Sequence, residues 1–272
     1  MMVAMANSPS GESMIARVVR LLSVFPKYNR PLSVREIAEY ASLPVTTTHR
    51  LLKELEAEDL VTRMTDGGWQ HGTRLWEIAS RNSPVQSLRD AALPPMEDLV
   101  AGLRVHLSLA ILDRNEVLYI ERMTPNDYTV NIISVAGRLP AHATSAGLIL
   151  HAFGSPDGRR LLLSRGLTKY TDTTLTEMQD LKDKLLRARH EGVVASTGAI
   201  IPESTGISVP VFGEGEYAIA ALTAIVPIGQ ENLEVLVPQL RFAARAIRRR
   251  LGKTPDTDLG FVRETNPLPS DF

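Results

Sequence analysis

Apolar residues recur at helical spacing through the first quarter of the chain. Ile15, Val18, Val19, Leu22 and Phe25 make one stripe from about Ser13, and Pro26 stops it. Val34, Ile37, Ala38 and Ala41 make a second stripe, and Thr48, Leu51, Leu52 and Leu55 a third. Ser42-Leu43-Pro44 separates these two, because proline lacks the next donor and restricts its predecessor. The pattern then shortens. Leu60 to Met64 reads as a strand, Asp66-Gly67-Gly68 as a turn and Trp69-Gln-His71 as the returning strand. Three helices and a hairpin predict a winged helix-turn-helix. Leu75, Trp76, Ile78 and Ala79 continue on a further helix, and Pro84 marks a boundary.

Beyond Pro84 the pattern is mixed. An amphipathic helix runs from about Val85 to Leu103, disturbed by Pro94-Pro95. Val105 to Leu112 and Val117 to Arg122 read as antiparallel strands, with Tyr128 to Val135 a third. Thr144 to Phe153 is a small-residue helix, and Leu175 to His190 an amphipathic one capped by Gly192. Ile207 to Phe212 and Tyr217 to Val226 are strands joined by Gly213-Glu-Gly215. A last helix spans Leu233 to Leu251, with Pro238 either an early kink or its true start. Strands and helices in this uneven order favour α+β over a doubly wound parallel sheet.

Composition narrows the function classes. A chain of 272 residues has room for two domains. No apolar run is long enough to span a bilayer, and the N-terminus lacks a signal-peptide pattern. The absence of cysteine excludes disulfides, zinc fingers and thiol nucleophiles, and fits a cytoplasmic protein. The net charge of −1 means that any DNA affinity comes from a local basic face, paired in an oligomer. That face is the outer side of the third stripe's helix. Thr46, Thr47, His49, Arg50 and Lys53 lie there, and Arg63 on the wing can reach phosphate. The plain alternative is a solvated helix face.

The second half lacks catalytic signatures. Ala143-Thr-Ser-Ala-Gly147 is no Gly-x-Ser-x-Gly elbow. His49, His71, His106, His151 and His190 have no metal-ligand spacing. No cofactor or metal is expected. His142 reads more simply as a buried histidine holding a loop than as a base. Arg248-Arg-Arg250 reads as helix-end charge.

Two segments carry a family resemblance. Leu43 to Leu55 and Gly137 to Gly147, with Thr174 opening a helix, Gly192 ending it and Gly206-Ile-Ser-Val-Pro210, resemble the IclR family of bacterial transcriptional regulators. The resemblance covers roughly residues 13–251. It implies a winged-helix DNA-binding domain at 12–73, a linker helix at 74–84 and a GAF-like effector-binding domain at 85–252. Residues 1–11 and 253–272 read as disordered. The resemblance further implies a homodimer or homotetramer on a palindromic double-stranded DNA operator, responsive to a small-molecule effector, with repression or activation left open. Its effector pocket falls on Tyr128, Asn131, Leu139, Ser145, Ala146, Ile207, Val209, Thr223 and Ile225. Helix-start donors among apolar walls favour a monocarboxylate. Leu148 stands where many members carry lysine, which argues against a small dianion. A protein-interaction module with a winged-helix head and no metabolite is the alternative reading. Thermal stabilisation in a metabolite screen separates the two.

Overall fold

The computed structural model describes residues 12–28, 30–80, 83–125, 135–164 and 166–252. The expected terminal segments 1–11 and 253–272, most of the expected strand Tyr128 to Val135, and the candidates Tyr128 and Asn131 lie outside these. The chain divides into two compact units between Ser83 and Pro84.

The first unit holds α1 (Met14–Leu22), α2 (Val34–Tyr40), α3 (Val45–Ala57), strands β1 (Val61–Arg63) and β2 (Trp69–His71), and α4 (Thr73–Ser80). Each early helix has a local start signal. The Ser13 hydroxyl accepts from the Ala16 N–H at 3.1 Å. Ser33 and Glu36 form a reciprocal capping box on α2. The Arg30 guanidinium and the Ser33 bonds hold the Glu36 carboxyl at about 2. The turn into α3 passes through Ser42 at φ +49° and Pro44. Leu21, Leu32, Ile37, Leu51, Leu52, Val61 and Trp69 form the core. β1 and β2 pair antiparallel, and Leu32 makes a single isolated bridge to Trp69 beside the two-stranded wing. The first stripe needs correction. Leu21, Val24 and Phe25 are buried, whereas Ile15 is 76% and Val19 56% exposed. The helix ends at Leu22 rather than Pro26; Val18, Leu22 and Phe25 of the stripe pack in or against the core, and only Ile15 and Val19 face outward.

The second unit is built on a six-stranded antiparallel sheet in the order β5-β4-β3-β8-β7-β6. The strands are β3 (His106–Asp113), β4 (Glu116–Met123), β5 (Arg138–Pro140), β6 (Val194–Thr197), β7 (Ser204–Phe212) and β8 (Ala218–Pro227). One face packs α5 (Pro84–Leu103) and α9 (Leu233–Leu251). The other packs α6 (Ser145–Ala152) and α8 (Met178–Glu191), with α7 (Pro156–Leu163) beside α6. The result is α+β. Pro94, Pro95 and Pro238 all lie inside helices, so α9 starts at Leu233. Thr174 does not open α8, which begins four residues later. Gly192 ends α8 at φ +67°, a conformation suited to glycine. At Gly147 a Cβ would meet the Ala141 carbonyl oxygen at 2.2 Å, so glycine lets α6 start against the preceding turn. No helix among the described residues is long and apolar enough to cross a membrane.

Candidate functional site

Two arrangements stand out, one in each unit. In the first unit α3 buries Thr48, Leu51, Leu52 and Leu55, which leaves the opposite face outward. The Thr48 hydroxyl donates to the Pro44 carbonyl at 3.1 Å and anchors the helix start. Thr46, His49, Arg50 and Lys53 are exposed and Thr47 half-buried. Arg50 pairs with Glu54 at 2.6 Å and Lys53 with Glu56 at 2.7 Å. Trp69, on the wing strand β2, lies between the wing and this face. Lys53 Nζ lies 5.7 Å and the Arg63 guanidinium 5.9 Å from the ring centroid. Spacing along the chain signals Lys53 and Arg63 separately; their shared aromatic partner is visible only in the fold.

In the second unit a cavity of about 60 Å³ opens at the start of α6. Ala143, Thr144 and Ser145 form one wall; Ala199, Ile200 and Ile201, in the β6–β7 connection, form the other. Tyr119 and Leu139 line one end, and Ser196, Ser204, Gly206, Thr223 and Ile225 contribute from β6, β7 and β8. Thr144 caps α6 by accepting from the Gly147 N–H at 3.1 Å. Ser208 lies beneath. Its hydroxyl donates to Ser145 Oγ at 2.8 Å and shares a 2.7 Å bond with Thr223 Oγ1. Burial pushes the Tyr119 phenol well above its ordinary value. The cavity is thus hydroxyl-rich at the α6 start and aliphatic around Leu139, Ile200, Ile201 and Ile225. Among the described residues no cluster of three histidines and carboxylates is placed to hold a metal.

A family model for the IclR helix-turn-helix domain matches residues 14–64, and one for the bacterial transcriptional regulator IclR C-terminal domain matches residues 84–249. The chain belongs to the IclR family. It is a DNA-binding transcriptional regulator and not an enzyme. It is 28% identical over 239 residues to the probable transcriptional regulator SauR of Cupriavidus necator, covering 84% of this chain and 92% of SauR. It is 26% identical over 247 residues to the transcriptional repressor AllR of Escherichia coli K12, covering 89% and 91%. Among solved structures, an IclR homologue from Microbacterium hydrocarbonoxydans complexed with 4-hydroxybenzoate is 40% identical. It superposes with a TM-score of 0.83, covering 89% of this chain and all of that one.

The IclR resemblance assigns nine effector positions, and the fold sorts them. Leu139, Ser145, Thr223 and Ile225 line the cavity. Ile207 and Val209 do not: both are fully buried on the opposite face of the sheet, in the core with α5 and α9. Side chains alternate along a strand, so β7 turns Gly206 and Ser208 to the cavity side and Ile207 and Val209 away. Ala146 contributes no side chain to the cavity, only the backbone N–H at the start of α6. It packs into the α6–α8 core one position past Ser145. The sequence reading missed Tyr119, Ala143, Thr144, Ser196, Ser204, Gly206 and the 199–201 segment. The Gly-x-Ser alternation in β7 was the available signal for Gly206 and Ser208. Neither Arg122 nor Arg138 lines the cavity. Arg138 pairs with Asp113 at 2.5 Å, and Arg122 donates to Thr124 Oγ1 at 3.2 Å. His142 bonds the Thr168 carbonyl through Nε2 at 2.9 Å.

Proposed function

We propose that this IclR-family protein is a cytoplasmic, effector-responsive regulator that binds a palindromic operator as a dimer or a pair of dimers. Its effector is a monocarboxylate with an aromatic or short apolar body. The cavity at the α6 start carries the reading. Hydroxyls of Ser145 and Thr223 and the first N–H groups of α6 suit one carboxylate. Leu139, Ile200, Ile201 and Ile225 suit a ring, at roughly 25 cal/mol per Å² of apolar area buried. Among the described residues no arginine or lysine lines the cavity to clamp a second charge. The homologue complexed with 4-hydroxybenzoate supports the same class. The name of the AllR relative supports repression as the output.

Thr46, Thr47, His49, Arg50 and Lys53 are the proposed groove and phosphate contacts, with Arg63 on the wing. Residues 12–73 are the reading head and α4 its linker. Exposed Met14, Ile15 and Val19 on α1, and Trp76 and Ile78 on α4, support pairing of heads, since apolar residues at such exposure suit an interface. A head pair spaced for successive major grooves multiplies a weak single contact.

Calorimetry with 4-hydroxybenzoate and with succinate tests the effector class: binding of the aromatic acid is expected, and binding of succinate alone overturns it. For the DNA face, Arg50→Ala costs about 1–3 kcal/mol of specific binding in a salt-matched gel shift if it makes one good base contact. Wild-type affinity would remove Arg50 from the contact set.

A further inference from the structure

The two walls of the cavity are tied together by one segment outside it. Thr171, Thr173 and Thr174 each donate a side-chain hydroxyl to one of three successive backbone carbonyls running from the end of β6 into the β6–β7 connection. Thr173 Oγ1 reaches Thr197 O at 3.0 Å, Thr171 Oγ1 reaches Gly198 O at 2.7 Å and Thr174 Oγ1 reaches Ala199 O at 2.7 Å. The buried Thr174 hydroxyl also accepts the Tyr170 and Thr171 N–H groups at 3.1 and 2.9 Å. Gly198 sits at φ +67°, and a Cβ there would come within 3.0 Å of Thr173 Oγ1, so glycine permits this approach. The same segment holds the opposite wall. The Thr168 carbonyl bonds His142 Nε2, and the Tyr170 ring lies 5.9 Å from the His142 ring, directly before Ala143 to Ser145.

Cavity size gives this tie a consequence. The space is about 60 Å³. A cavity that takes up one benzene ring is roughly 150 Å³. A ring held wholly between the two walls therefore needs them to part, and the threonine bonds resist that parting.

We propose that residues 168–174 form a clasp that holds the effector cavity below the size of one ring, with Thr174 the positioning residue that sets the cost of widening it. The inference rests on the effector reading of this cavity. A ligand that needs the widened form binds with an apparent affinity reduced by the fraction of molecules already open. Thr174→Val keeps the shape but removes the hydroxyl, leaving the Ala199 carbonyl and two N–H groups without it in the closed form. Opening then costs less. The variant is expected to bind 4-hydroxybenzoate about tenfold more tightly, the size of one net hydrogen bond. A residue that merely supported the site would weaken binding instead.

The experiment pairs calorimetry against 4-hydroxybenzoate with amide hydrogen exchange across 197–201 in the ligand-free full chain. Thr174→Val should exchange at least tenfold faster there and bind more tightly, while Thr174→Ser, which retains the hydroxyl, should match wild type in both. Unchanged exchange in folded Thr174→Val, or weaker binding, overturns the clasp. If the wild type and the variant both ignore 4-hydroxybenzoate while exchange rises, the aromatic-effector reading fails and the clasp stands. Should Thr174→Val not fold, the exposed Thr173→Val takes its place, with the same direction of change expected and unchanged exchange again overturning the proposal.

Discussion

The six-stranded sheet presents two faces made by the same strands and alike in burial, yet unlike in chemistry. Toward α5 and α9 it shows Leu107, Leu109, Ile207, Val209 and Leu222, a dry aliphatic layer. Toward α6 it shows Ser108, Gly206, Ser208 and Thr223, with Ala110 and Ala221. Leu222 and Thr223 are neighbours in sequence, and strand geometry sends them to opposite sides. One face is filled to provide stability; the other is built from small and hydroxylated residues that leave room. A binding site on a sheet can thus be placed without weakening the sheet, because the period of two separates the tasks residue by residue.

The sharpest test of that division is Leu222→Ala. It should cost about 2–5 kcal/mol in chemical denaturation, through lost burial and the cavity left behind. The folded variant should bind 4-hydroxybenzoate as wild type does. A large loss of effector affinity at unchanged stability would erase the distinction between the faces.

His151, on α6, tests the second face by pH. Burial, and then the charge of Arg159, pulls its pKa down to about 4. The unfolded chain titrates at about 6.5, so between these values the unfolded state binds more protons. Stability is therefore complete above about pH 6.5 and falls as pH drops toward 4, by roughly 3 kcal/mol from this residue. Below that both states are protonated and the loss stops growing. Denaturation midpoints of wild type and His151→Phe across pH 4–7 measure it; a variant with the same pH slope as wild type excludes His151 as the source.

The smallest effect is expected at Ser208→Ala. Removing the shared partner of Ser145 and Thr223 should cost about 1 kcal/mol of stability, in line with one net hydrogen bond. A change in 4-hydroxybenzoate affinity should accompany it, because the freed Thr223 and Ser145 hydroxyls lie at the cavity. A cost as large as that at Leu222 would mean that the hydroxyl layer is core after all.

How far the sequence carries depends on the period being read. α3 and α9 stand where their apolar spacing puts them, and the Asp66-Gly67-Gly68 turn marks the wing, because long helices and glycine turns leave local signals. The short elements did not stand out. β5 and β6 have three and four residues, too few for alternation to register. α7 carried a usable signal, Ser155 followed by Pro156, and its Ser155 hydroxyl does accept the Gly158 N–H at 3.2 Å. The cavity was half legible. Ser145 and Thr223 are visible as polar residues inside apolar runs. Ile207 and Val209, which the family resemblance implies for the pocket, face away from this cavity; on a strand buried on both faces hydrophobicity alone does not tell one side from the other. The threonine clasp lies in an irregular segment, and its partners are 24 to 27 residues away in sequence.

The charge arrangement of α3 bears on how the proposed DNA face finds its target. The two cations of α3, Arg50 and Lys53, are matched along the same helix by Glu54 and Glu56 and are bonded to them. To touch a phosphate each cation must leave a carboxylate, which then faces the anionic duplex. The helix therefore exerts little long-range pull on random DNA, and its non-specific residence is short. For the head pair proposed above, occupancy in a genome full of competing sites is then governed less by charge than by fit to one sequence. A regulator of this kind searches by brief visits and stays only where it can read.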